Sequence, residues 1–170
     1  MVNSDVSSEP YKNILLNYLN KLSGNECEMV VRALTERSNK EIASELIPLF
    51  ERSDLSEMNL WAVGNALNTI KDKSRIHDYI RICKNSSLGT ARSELIRFLG
   101  SIRTPGVYEL FAELLNDSNV RFAAIEALGR TNNPNAVELL NSLELEPKSV
   151  EERNRATALK RLERAASNIR

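Results

Sequence analysis

Along this chain, short runs with apolar residues at every third or fourth position alternate with turns rich in Gly, Pro, Asn and Ser. The clearest run is 117–143, DSNVRFAAIEALGRTNNPNAVELLNSL. Val120, Ala123, Ala124, Ala127 and Leu128 fall at i, i+3, i+4, i+7 and i+8, which predicts a helix with one buried stripe. Asp117 or Ser118 is placed to cap it, because a short side-chain oxygen there accepts an orphan N–H of the first turn. Gly129 and Thr131-Asn132-Asn133 supply turn geometry at its end. Asn133-Pro134 restarts a helix, with Pro at the first helical position, where its missing N–H is no loss. Ala136, Leu139, Leu140 and Leu143 form the second stripe. Helices this short are marginal alone in water, so the pair must stack on other elements.

The other elements are copies of the same pair. Twenty-nine residues upstream, Leu99-Gly100 stands in for Leu128-Gly129, Arg92 for Arg121 and Thr104-Pro105 for Asn133-Pro134. Val107, Leu110, Phe111 and Leu114 repeat the second stripe. Further back, Ala66-Leu67 is followed by Ile76, Tyr79, Ile80 and Cys83, and Ala33-Leu34, with Met29 and Val30, by Ala43, Leu46, Ile47 and Phe50. Downstream, Ala158-Leu159 opens a more polar copy. Leucines 34, 67, 99, 128 and 159 are thus 33, 32, 29 and 31 residues apart. Paired helices at such a period predict a solenoid.

The D-x-x-V-R-x-x-A-I-x-A-L-G-x-x-x-x-P-x-A-V-x-x-L reading of 117–140 resembles a HEAT repeat, of the short kind named after phycobilisome lyases. The fold expected is all-α: a right-handed α-α solenoid of about five HEAT-like helical hairpin repeats with an N-terminal capping helix. Helices are expected near 25–37, 40–52, 57–71, 74–85, 89–102, 106–116, 118–130, 134–144 and 150–167, with Pro48 kinking or shortening the second. Residues 1–9 read as a disordered tail and 10–170 as a single domain. The capping helix starts at Pro10, with Leu15, Tyr18, Leu19 and Leu22 as its core side and Ile14 and Leu16 widening it. Arg92 and Arg121 occupy equivalent places in successive first helices, beside Asp117. The resemblance implies that such an arginine ties adjacent repeats together through an Asp.

Composition narrows the function classes. Lys plus Arg equals Asp plus Glu at 23 each, so no overall charge argues for nucleic acid or an anionic membrane. Nothing approaches the ~18 apolar residues of a membrane span, and MVNSDVSSEP has neither the basic start nor the apolar run of a secretory signal. Cys27 and Cys83, on different helices at or beside core positions, read as buried free thiols of a reducing, cytoplasmic setting. The last helix is basic, with seven basic and three acidic residues from Lys148 onward, Arg153, Arg155, Lys160, Arg161, Arg164 and Arg170 among them. It reads as a polar terminal cap or as a docking site for an acidic protein or a phosphate backbone.

Catalytic and metal chemistry find little support. His77 is the sole histidine, so no His-based metal cluster can form, and neither metal nor cofactor is expected. The hydroxylase branch of the resembled family holds its metal with repeated His-Glu pairs, and His77-Asp78 is the only candidate here. No Gly-rich phosphate loop and no G-x-S-x-G motif occurs.

One repeated feature remains. Two residues beyond the first stripe residue of each second helix (Ala43, Ile76, Val107, Ala136) stand Glu45, Asp78, Glu109 and Glu138. Four acids at one register predict a line of carboxylates across stacked helices, with Glu113 one turn from Glu109. His77, Arg81, Tyr108, Ala112 and Asn141 flank it at adjacent registers. In HEAT-like solenoids the second helices usually line the concave face. The line is therefore either a solvated face, where Glu is a good helix former, or a binding surface for a basic protein. The reading reached is a monomeric, non-catalytic protein-binding scaffold of bacterial type, with a toxin-immunity or inhibitor protein as one form of it. The alternative is an accessory enzyme of the phycobilin-lyase or DNA-glycosylase kind, binding a small molecule or nucleic acid.

Overall fold

The computed structural model describes residues 7–102 and 106–167. Among these there are ten α-helices, joined by turns and short 3-10 segments, and no strand. The fold is all-α, of the α-solenoid type, and divides into two compact units, Met1–Arg75 and Ile76–Arg170.

The first unit holds α1 (Lys12–Leu19), α2 (Gly24–Leu34), α3 (Ala43–Leu46) and α4 (Glu57–Ile70). α1 packs on α2, and α2 on α4. Of the expected tail 1–9, residues 1–6 lie outside the described residues, and the next two are fastened. Ser8 donates both its N–H (2.6 Å) and its hydroxyl (2.8 Å) to Glu36, and Ser7 also donates to that carboxylate. The Ser8 N–H, more than any other contact, holds the Glu36 carboxyl below its ordinary range. Lys12 adds an ion pair to Glu41. Pro48 acts as expected: the α-helix stops at Leu46, and a 3-10 segment, Ile47–Glu51, takes over. α4 is well bounded at both ends. Ser56 and Asn59 form a reciprocal capping box at its start, and Lys71 takes a left-handed conformation at its end.

Three expected core positions of this unit face outward instead. Ile14, Tyr18 and Met29 are all more than half exposed, and Leu19 alone of α1 is fully buried. A two-turn helix presents its apolar residues on two adjoining faces, and only the one toward α2 meets a neighbour. Arg52 closes the unit by donating to the carbonyls of Leu19 (3.1 Å) and Leu22 (2.7 Å) while paired with Asp54.

The second unit holds α5 (Ile76–Lys84), α6 (Ser93–Leu99), α7 (Val107–Leu114), α8 (Arg121–Leu128), α9 (Asn135–Asn141) and α10 (Val150–Ser167). The first helices α6, α8 and α10 pack in succession, α7 also packs on α8, and α9 on α10. Small residues set the spacing of that row. A Cβ added to Gly100 would lie 2.7 Å from Ala127 Cα, and one added to Gly129 would lie 2.7 Å from Ala158 Cα. The recurring Leu-Gly therefore marks where one first helix meets the backbone of the next. Leu34, Leu67, Leu99 and Leu128 are fully buried in their units. Leu159 is only half-buried, because Ala158 and Leu162 take the inward positions of α10.

Arginines lock the row from the side. Arg92, 1% exposed, donates Nη1 to Cys83 O (3.0 Å) and Nε to Gly89 O (2.9 Å), and its Nη2 meets Asp117 (2.5 Å). Arg121 donates Nε to Leu115 O (2.7 Å) and faces Glu151 at 3.7 Å. Arg155 donates Nη1 to Leu143 O (2.8 Å). Each of the three therefore satisfies a carbonyl at or just past the end of the preceding second helix, where the last turn leaves acceptors unpaired. The expected tie between repeats is present as Arg92–Asp117, and Arg121–Glu151 repeats it one step on. The N-cap residue of α8 is Val120, with no side-chain bond, so neither Asp117 nor Ser118 caps it; Asp117 Oδ1 instead accepts the Asn119 N–H (3.0 Å) in the turn just before. The turn at Thr104-Pro105 lies outside the described residues.

Both cysteines are free and buried, and burial raises both thiol pKa values, most strongly at Cys83. A disulfide-exchange reagent should label neither thiol readily in the folded protein and both after unfolding in guanidinium. Rapid labelling of the native protein would contradict this packing.

Candidate interaction surface

The acids of the repeated register occupy the second helices of both units. In the first unit, Glu45 is exposed on α3. In the second, Asp78 is half-exposed on α5, and Glu109 on α7 and Glu138 on α9 are exposed. Their exposure follows from the stripes: with Val107, Leu110, Phe111 and Leu114 turned inward, Glu109 and Glu113 are turned out.

Their electrostatic surroundings differ from those of Glu94, Glu126, Asp117 and Glu151. Glu94 and Glu126 both pair with Arg97 (2.5 and 2.9 Å), and Glu126 also with Arg130 (2.5 Å). Asp117 and Glu151 are held by the arginines already described. Among the described residues, Glu45, Glu109 and Glu138 have no ion pair, while Asp78 reaches Arg81 only at 3.8 Å. Lys84, at the end of α5, faces Glu113 of α7 at 3.5 Å.

The flanking residues sort as follows. His77, Arg81 and Asn141 are exposed, and Tyr108 is half-buried on α7. Ala112 lines a cleft of about 350 Å³ between α7 and α9, with Leu115, Leu139 and Leu143 as apolar lining and Asn116, Arg121, Ser142 and Glu144 as polar lining. The sequence carries little trace of this cleft beyond two small residues, Ala112 on α7 and Ser142 just past the end of α9.

No group of three or more His, Cys, Asp or Glu among the described residues is arranged to hold a metal ion. No helix among them is long and apolar enough to cross a membrane.

The repeated hairpins, the Leu-Gly contacts and the Arg–Asp tie now stand together in the second unit. Residues 78–160 match the family model of HEAT repeats. No curated protein matches the chain. HEAT repeats are generally protein-interaction scaffolds without catalytic activity, and the HEAT match covers Asp78, Glu109, Glu113 and Glu138, while Glu45 precedes it.

Proposed function

We propose that this chain is a non-catalytic interaction module that binds a basic protein through the acids of its second helices. The observation that carries this is a contrast in pairing. In the second unit, Glu94, Asp117, Glu126 and Glu151 are each paired with arginine, whereas Glu109 and Glu138, like Glu45 in the first unit, stand exposed with no ion pair among the described residues. Exposed, unneutralised charge of one sign speeds the encounter with an oppositely charged partner and suppresses wrong ones. The cleft beside Ala112 adds an apolar foothold between α7 and α9, the helices that carry Glu109 and Glu138. The 117–140 repeat reads as the short, phycobilisome-lyase type, yet a bilin's carboxylates would favour cations over this register. An inhibitor or immunity protein that neutralises a basic toxin domain would use such a surface. The two buried free thiols support a reducing, cytoplasmic setting.

The test is affinity capture with the wild type beside a variant carrying Glu45→Lys, Asp78→Lys, Glu109→Lys and Glu138→Lys. Exposed helix positions tolerate substitution at about 0.5 kcal/mol or less each, so the variant should fold. A basic protein retained by wild type and lost from the variant is the expected result. Equal retention by both would remove the acidic register from the account.

A further inference from the structure

α10 carries a charge pattern that the proposed partner does not use. At 100° per residue, Arg153, Thr157, Lys160 and Arg164 fall within one narrow arc, opposite the buried Ala158 and Leu162. All four are exposed, and the three cations have no ion pair among the described residues. None of the helix's three acids has an ion pair with them among the described residues: Glu151 is turned to Arg121, Glu152 accepts the Lys148 N–H and faces Arg155, and Glu163 is exposed to one side of the arc. Arg155 itself is spent on the Leu143 carbonyl. Lys160 and Arg164 are like charges one turn apart, a pairing that weakens a helix, and Arg153 sits in the first turns, where the helix dipole disfavours a cation.

We propose that this basic face of α10 docks on the acidic second-helix face of another copy of the chain. It rests on the reading above, since it uses the same acids. The charges are complementary: Arg153, Lys160 and Arg164 are exposed cations without an ion pair among the described residues, and Glu109 on α7 and Glu138 on α9 are exposed carboxylates without one. α10 docked on α7 and α9 of a second copy sets cations against carboxylates. The two faces are different surfaces, so the contact is head-to-tail and builds a ring or an open chain according to its rotation. The product is a reversible oligomer, strongest at low ionic strength. It also places α10 in competition with the basic partner. A phosphate backbone is the weaker occupant because no aromatic side chain is exposed on α10 for base stacking. An anionic membrane is weaker still, since the apolar side of α10 is buried.

Sedimentation velocity over a concentration series tests this with two charge-reversed variants. One carries Arg153→Glu, Lys160→Glu and Arg164→Glu, and the other Glu109→Lys and Glu138→Lys. Wild type should sediment faster as its concentration rises at low salt and lose that dependence at high salt. Each variant alone should stay monomeric, because its two faces then share a sign. Mixing the two variants should restore association, which also shows that both are folded. A monomeric wild type at low salt, association unaffected by either variant, or a mixture that stays monomeric would each overturn the proposal. So would a monomeric wild type that binds duplex DNA or phosphatidylserine vesicles through the same three cations. If wild type is monomeric and the Glu109→Lys, Glu138→Lys variant still loses the captured partner, this inference falls and the partner-binding reading stands.

Discussion

Replacing Arg92 with methionine should lower stability by about 3–5 kcal/mol, the range seen when one member of a buried charge pair is removed. Arg92 is 1% exposed and satisfies the carbonyls of Cys83 and Gly89 as well as Asp117. Methionine fills much of the volume but leaves two acceptors and a carboxylate without their donor. Arg92→Lys should recover only part of the loss, because an ammonium lacks the planar fork that reaches three acceptors at once. Asp117 adds a pH signature. The Arg92 hydrogen bond is the largest cause holding its carboxyl below the ordinary range. With the folded pKa depressed, this stabilisation is complete above the unfolded value of about 3.9 and is lost as pH falls through the folded value. Urea midpoints of wild type and Asp117→Asn should therefore differ at neutral pH and converge in acid below about pH 4. A gap that stayed constant into that range would contradict the pairing.

Gly129→Ala should destabilise the second unit by up to about 2 kcal/mol, although alanine is the better helix former. Intrinsic propensity favours the substitution by about 1 kcal/mol. Against it, the new Cβ would lie 2.7 Å from both Ala158 Cα and Ala158 Cβ. Backbone cannot rotate away as a flexible side chain can, so α10 must shift from α8, and overpacking of that kind costs about 1–3 kcal/mol or more. Gly100→Ala meets the backbone of Ala127 in the same way. In a double-mutant cycle with Ala158→Gly, the second substitution should cost less in the Gly129→Ala background than alone, because it removes one of the two overlaps. Additive costs would mean that the contact is not what limits the approach.

Those two features were legible in the sequence to different degrees. The Leu-Gly of 99–100 and 128–129 recurs at a constant offset, and the Arg92–Asp117 tie followed from the family resemblance. Arg155 was not legible as a third member of the ladder. Aligning by leucines sets it against Ala124, and the interval from carbonyl to arginine is 9, 6 and 12 residues at Arg92, Arg121 and Arg155. A hydrogen bond fixes positions in space and leaves loop length free. Ile14, Tyr18 and Met29 were misplaced for a related reason, since periodicity shows that a helix has an apolar face but not which neighbour covers it. The acids of the second helices were readable by register alone. The cleft beside Ala112 depends on how far α7 and α9 stand apart, which no local pattern encodes.

The most direct test of the central claim is the association rate of the captured partner as a function of ionic strength, for wild type and for Glu109→Gln, Glu138→Gln and the pair. If these carboxylates steer a basic partner, the wild-type rate should fall steeply with salt. Each neutralisation should lower the low-salt rate and flatten the slope, with dissociation changed less. A rate and salt slope identical in wild type and the doubly neutralised protein would contradict the claim.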